Sequence, residues 1–201
     1  MVLALRRQLV TAFLATACLL VVTSIAYPLA VWGVGRLAFR HQTDGSFVHD
    51  RGQVVGSSLI GQTWADKDGN PLPGYFQPRP SAAGAGYDPT SSSGTNLGPS
   101  NPTLVKDVTN RVAGYRTFNG LAPTAPVPVD AVTSSGSGLD PDISVANALD
   151  QAPRVARARG LDVGAVVGLV HSHIRARVLG VFGEDAVNVL DLNLALDRVA
   201  R

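Results

Sequence analysis

Apolar positions form one unbroken run near the start of the chain and recur only at intervals after it. From Leu9 to Leu29 no side chain is charged, and the uncharged window extends from Gln8 to Gly35. A bilayer core takes about 20 apolar residues in helix. In hydrocarbon a helix pairs its own backbone N–H and C=O groups. The run therefore predicts a membrane-spanning helix over residues 9–35, behind a short tail of residues 1–8. Tyr27 and Trp32 fall where amphipathic rings meet the headgroups, and Pro28 kinks that end or marks its exit. A cleaved signal has an apolar region of about 7–15 residues, shorter than this one. A lipid anchor on Cys18 lacks the preceding leucine, so the run reads as a retained single-pass anchor.

Past residue 35 the pattern breaks into short elements. Residues 36–52 read as a juxtamembrane connector, and residues 53–201 as one domain. Gln53 to Gln62 alternates toward a strand with a turn at its end, and Asp66–Pro71 is a turn cluster. The prolines in Tyr75–Ala82 exclude a continuous helix. Residues 83–101 are small and polar, but Tyr87, Asn96 and Leu97 argue for an ordered loop. Asn101 and Pro102 cap a helix whose apolar face carries Leu104, Val105, Val108 and Val112, through about Tyr115. Asp130–Thr133 reads as a short strand leading into the loop Ser134–Asp142. A helix follows from Ser144 to Asp150, and Pro153 either kinks it or starts another ending at Gly160. Asp162 caps a long helix reaching Val178 by the spacing of Val163, Val166, Val167, Val170 and Ile174. Val187–Leu190 reads as a strand. Asp191 opens a last helix with Leu192, Ala195, Leu196 and Val199 inward. Strands and helices mix without βαβ alternation, which predicts an α+β fold.

Composition narrows the function. The chain of 201 residues carries a net charge of +2, with its cations scattered, so nothing marks a nucleic-acid surface. Cys18 is the single cysteine and lies in the apolar run, which rules out disulfides and cysteine metal sites in the domain. The densest polar constellation is Ser134–Ser144. It departs from a nucleophile elbow, because Ser135 stands where G-x-S-x-G needs glycine, and it has no phosphate-loop G-K-[ST]. Asp140 and Asp142 form a carboxylate pair or serve as turn and cap residues; with Ser137 they are the elements of a possible hydrolase or ligand-binding loop. His171 and His173, two apart on a helix, point away from each other and do not share a metal. Arg154, Arg157 and Arg159 read as a solvated basic face near a helix end or as contacts to an anionic partner. Gln62, Tyr75, Arg79, Asn96 and Gln151 carry no chemistry that spacing alone defines.

Several motifs in order do carry a resemblance: Gly56–Gln62 behind the anchor, Tyr75-Phe76, Arg79–Ala82, Tyr87-Asp88, Gly94–Pro99, Ser135–Pro141, Ile143-Ser144, Gln151, Pro153–Ala156, Val187–Leu190 and Leu192-Asn193. Together they resemble the C subunit of the Kdp potassium-transporting ATPase from end to end. Thr95, Asp142 and Glu184–Ala186 depart from that pattern at single positions. The resemblance implies a non-catalytic accessory subunit of a high-affinity, ATP-driven potassium importer in the cell membrane of a prokaryote. Its implied partners are a channel-like potassium-binding subunit, a P-type ATPase catalytic subunit and a small hydrophobic subunit. Its implied roles are assembly of the complex and support of ATP binding by the catalytic subunit. Gln151 is the candidate nucleotide contact; Ser137, Asp140, Asp142, Arg154, Arg79 and Asn96 are candidate partner contacts. ATP and potassium are expected to be handled by the complex, and no cofactor by this chain.

Two expectations concern the membrane. Ala12 with Thr16, and Ala26 with Ala30, are small-xxx-small pairs suited to close helix packing in lipid. Arg6 and Arg7 before the span are nearly balanced by Arg36 and Arg40 after it, and the short tail tips the N-terminus to the cytoplasm. The domain would then be extracytoplasmic, with Asp130, Asp140 and Asp142 facing the approach path of the ion.

Overall fold

The computed structural model describes residues 2–199, and the chain divides into two compact units, one ending at Ser46 and one beginning at Phe47. The first unit is dominated by one helix. α1 (Val2–Val21) runs into a π-helical turn (Val22–Ala26) and on into α2 (Tyr27–Ala38). Together they make a 37-residue helix, apolar and long enough to cross a membrane, with no buried side chain. Pro28 neither breaks this helix nor ends it. Proline lacks an N–H, and widening the preceding turn relieves the misfit; Tyr27 N–H accordingly bonds Val22 O, five residues back. Thr11 and Thr23 return their hydroxyls to the carbonyls of Arg7 and Leu19, so both polar groups are satisfied within the helix. Phe39, off the helical backbone at φ −134° and ψ 46°, ends α2. The short α3 (Arg40–Thr43) follows, and Arg36 pairs with Asp44.

The second unit opens with an antiparallel hairpin of β1 (Phe47–Asp50) and β2 (Gln53–Ser57). Residues 47–52, assigned to the connector by sequence, thus form an ordered strand and turn. That turn holds Arg51 and Gly52 at φ of 49° and 79°, the left-handed pair that matches strand twist. A long segment without strands then crosses the domain to α4 (Pro102–Asn119). Asn101 caps α4 through its side chain, and Gly120 at φ 69° closes it, four residues beyond the expected end. α5 (Val129–Val132) is a helical turn where a strand was expected. Asp130 explains the difference: its carboxylate accepts from Ser144 N, Ser144 Oγ and Asn147 Nδ2, which fixes the turn against the next helix.

A three-stranded antiparallel sheet of β3 (Asp142–Ser144), β4 (Ile174–Arg175) and β5 (Ala186–Asn188) has β5 at its centre. Ser144 caps α6 (Val145–Arg159), which continues unbroken through Pro153. Ala152, Val155 and Ala156 around that proline are fully buried, so packing holds the helix where one bond is lost. Asp162 caps α7 (Val163–Ser172) as expected. The helix does not reach Val178, because Ile174 pairs with Val187 of β5 instead. The last strand stops at Asn188, whose side chain accepts from Asp191 N–H at the start of α8 (Val189–Val199). Asn188 therefore caps the helix that Asp191 was expected to cap. Leu192 and Leu196 are fully buried, but Val199 is exposed. The core gathers Phe76, Ile143, Val155, Val170, Val187 and Leu196 between α6, α7, α8 and the sheet. The unit is α+β, as expected.

Candidate functional site

Two loops interlock beside the sheet. Ser81 Oγ donates to Gly138 O at 2.7 Å and accepts from Tyr87 N at 2.8 Å. Ser93 N and Ser92 Oγ both donate to Ser137 O, at 2.9 and 3.0 Å. Arg79 Nη1 meets Asp140 Oδ2 at 2.7 Å, and Tyr87 OH donates to Arg79 O. Burial pushes the Tyr87 hydroxyl well above its ordinary pKa, so at neutral pH it remains a donor. The close approach depends on glycine. Gly138 sits at φ +69°, and a Cβ there would lie 2.6 Å from Ser93 O and 2.7 Å from Ala83 N. Asn96 adopts φ 53° with an exposed side chain, a conformation asparagine tolerates.

This geometry decides the roles expected of the loop. Ser137 Oγ has Ser135 Oγ at 3.4 Å and accepts from Leu139 N; neither neighbour is a base that could activate it. Asp140 uses one oxygen on Arg79 and the other on Asp142 N. Asp142 accepts from Asn188 and lies 3.7 Å from Arg175. Burial raises its pKa, against the opposing pull of Arg175. The three acidic side chains expected to face an ion, Asp130, Asp140 and Asp142, are thus turned to internal partners. Among the described residues no cluster of three or more His, Cys, Asp or Glu side chains could hold a metal. His173, just past the end of α7, turns its Nδ1 back to Leu169 O at 2.8 Å.

Deeper in the domain, two amide side chains grip the backbone of Phe76 and Gln77. Asn193 Oδ1 accepts from Phe76 N at 2.9 Å, and its Nδ2 donates to Phe76 O at 3.0 Å. Gln151 Oε1 accepts from Gln77 N at 2.7 Å, and its Nε2 donates to Gln77 O at 3.0 Å. Each amide closes both backbone groups of one residue, so a proline-stiffened segment outside any sheet is held by two helices. Gln151 also donates to Asn147 Oδ1 and accepts from Arg154 Nη2. It is 1% exposed with every hydrogen-bonding position engaged.

Arg154 is the plainest departure from expectation. It is not a solvated cation but 5% exposed. It donates to Asn119 Oδ1, Pro73 O, Tyr75 O and Gln151 Oε1, and it stacks 4.3 Å above Phe118. Burial lowers its pKa to about 10, which leaves it cationic at neutral pH. Arg159 is also drawn in, pairing with Asp197 at 2.7 Å and donating to Gly74 O; Arg157 is exposed. Reading by residue type missed Asn119, Asn147, Asn188 and Asn193, all buried. Their signal was an amide on an otherwise apolar helix face or at a helix end. Beside this network lies a cavity of about 390 Å³, lined by Pro78, Pro80, Tyr115, Phe118 and Gln151 among others.

On the long apolar N-terminal helix, Ala12, Thr16, Ala26 and Ala30 are all exposed. The π-helical turn between the two pairs unwinds the helix relative to α-helical spacing. Ala12-Thr16 and Ala26-Ala30 therefore do not continue one straight α-helical stripe.

Over residues 9–198 the sequence matches the family described as K+-transporting ATPase, c chain. It is 53% identical over 195 residues to the potassium-transporting ATPase KdpC subunit of Mycobacterium tuberculosis, covering 97% of this chain and 100% of that protein. The protein of the same name from Caulobacter vibrioides is 52% identical over 178 residues, 88% of this chain and 86% of that one. Another from a Caulobacter species is 49% identical over 194 residues, 96% and 92%.

Proposed function

The chain belongs to the family of K+-transporting ATPase c chains, and from that premise we propose that it is a membrane-anchored, non-catalytic accessory subunit whose domain works outside the cytoplasm. One observation carries this reading. The polar residues that family motifs bring together are spent on holding the domain's own loops, with no nucleophile–base pair and no free carboxylate pair among them. A rigid domain of this kind suits assembly better than chemistry. Its implied partners are the potassium-binding, ATP-hydrolysing and small hydrophobic subunits of a Kdp-type importer. Gln151 acts as a structural clamp in this reading, since a nucleotide would have to displace four internal hydrogen bonds to reach its amide.

Sidedness is the part most exposed to test. With Cys18→Ala and Ser92→Cys in the full chain, an impermeant thiol reagent is expected to label intact cells, or spheroplasts where an envelope blocks access. Ser92 is exposed in the domain, so its own accessibility does not limit the result. Labelling only after lysis would put the domain on the ATP side and overturn the reading in favour of a direct part in nucleotide binding.

A further inference from the structure

The connection from the edge strand β4 to the central strand β5 runs out into a hairpin whose apolar side chains are exposed. Between these strands the chain runs out to Val178, turns, and returns at Phe182, where Val178 N bonds Phe182 O at 2.9 Å. Leu179 and Gly180 form the turn at φ 55° and 71°. Left-handed backbone costs a branched residue such as leucine on the order of 1 kcal/mol, so the tip keeps a large apolar side chain where glycine or asparagine would be easier. Val178, Leu179, Val181 and Phe182 are 67%, 85%, 71% and 65% exposed. Four neighbouring side chains this exposed make a patch of a few hundred Å², the size that on a monomer surface is often functional.

The surroundings of the tip say what covers it. Arg177 pairs with Glu184 at 2.5 Å, and Arg177 N–H donates to Asp185. Arg175, further down, pairs with Asp191 at 2.5 Å and lies near Asp142. Each cation at the neck is thus matched by an anion. A loop that enters lipid headgroups is usually flanked by unpaired cations that seek anionic lipid. An apolar centre ringed by charge-paired, polar groups has instead the anatomy of a protein–protein hot spot. We propose that the 178–182 hairpin is a docking knob that inserts Leu179 and Phe182 into an apolar crevice on the extramembrane surface of another subunit of the transport complex. The proposal rests on the accessory-subunit reading and adds to it the surface that makes the contact.

The test uses the full chain co-expressed with the other subunits of the complex. A benzophenone amino acid at position 179 is expected to give, on irradiation, an adduct with one partner subunit. The double variant Leu179→Asp, Phe182→Asp is expected to lower recovery of the complex at least tenfold. Its melting temperature as an isolated chain should match that of the unaltered chain, because neither side chain is in the core. Unchanged recovery, or an adduct only with lipid or with a second copy of this chain, overturns the docking knob while leaving the accessory-subunit reading intact. Failure of the unaltered chain to co-purify at all overturns both. Loss of recovery together with a lowered melting temperature assigns the effect to folding and also overturns the proposal.

Discussion

Gln151→Leu removes a side chain that no substitution of similar size can replace. Its amide makes four hydrogen bonds, at 2.7, 3.0, 2.9 and 2.7 Å. Asn147 Oδ1 keeps a second donor, Tyr115 OH at 2.9 Å, but Gln77 N, Gln77 O and Arg154 Nη2 lose their partner. Each buried polar group left unpaired costs about 1–3 kcal/mol. Leucine returns about 1–2 kcal/mol of apolar burial against about 3–9 kcal/mol for the three unpaired groups, so the net loss centres on about 4–5 kcal/mol. Against the 5–15 kcal/mol typical of a domain, that is a large share, and it lowers the melting temperature by about 8–15 °C at this size. Gln151→Glu is the informative contrast. It keeps both acceptor bonds and faces Arg154, which has no carboxylate partner among the described residues. It loses the donations to Gln77 O and Asn147 Oδ1 and sets an acceptor oxygen against both, but as a carboxylate it pairs with Arg154, so near neutral pH it should destabilise less than leucine. The assay is urea and thermal unfolding of the detergent-solubilised full chain, followed by circular dichroism. A loss below about 1 kcal/mol for leucine, or a glutamate variant weaker than leucine at neutral pH, would refute the clamp.

Two further outcomes follow from other parts of the domain. Gly138→Ala should prevent stable folding, because its Cβ would collide with Ser93 O at 2.6 Å and Ala83 N at 2.7 Å at φ +69°; a soluble, protease-resistant variant would contradict the interlock. Burial raises the folded pKa of Asp142, so between the ordinary carboxylate value and that higher one the folded state holds more protons than the unfolded state. Stability therefore falls as pH rises through that window and levels off above it. Asp142→Asn should remove this part of the slope in urea midpoints measured between about pH 4 and pH 7, and an unchanged slope would rule it out.

What the sequence made legible is what local chemistry controls. Asn101 and Asp162 start their helices where an Asx side chain can accept from the first turn, and Gly160 ends α6 in left-handed backbone. What it hid is set by partners far along the chain. β3 and β4 have three and two residues, too few for a period to register, and exist because β5 pairs with both. Arg154 looked solvated because its neighbours Arg157 and Arg159 share its type; the carbonyls of Pro73 and Tyr75 and the amide oxygens of Asn119 and Gln151 drew it inward. The same logic explains why the resemblance lay in scattered short motifs. Gly61 leaves room for the Tyr87 ring and Asp140 O, and it donates its N–H to Leu139 O. Ser81 bonds Gly138 O, and Arg79 pairs with Asp140. Residues from four separated motifs thus occupy one another's space and complete one another's hydrogen bonds. A change in any one disturbs the packing or the hydrogen bonds of the others, so such a set is more specific than its members.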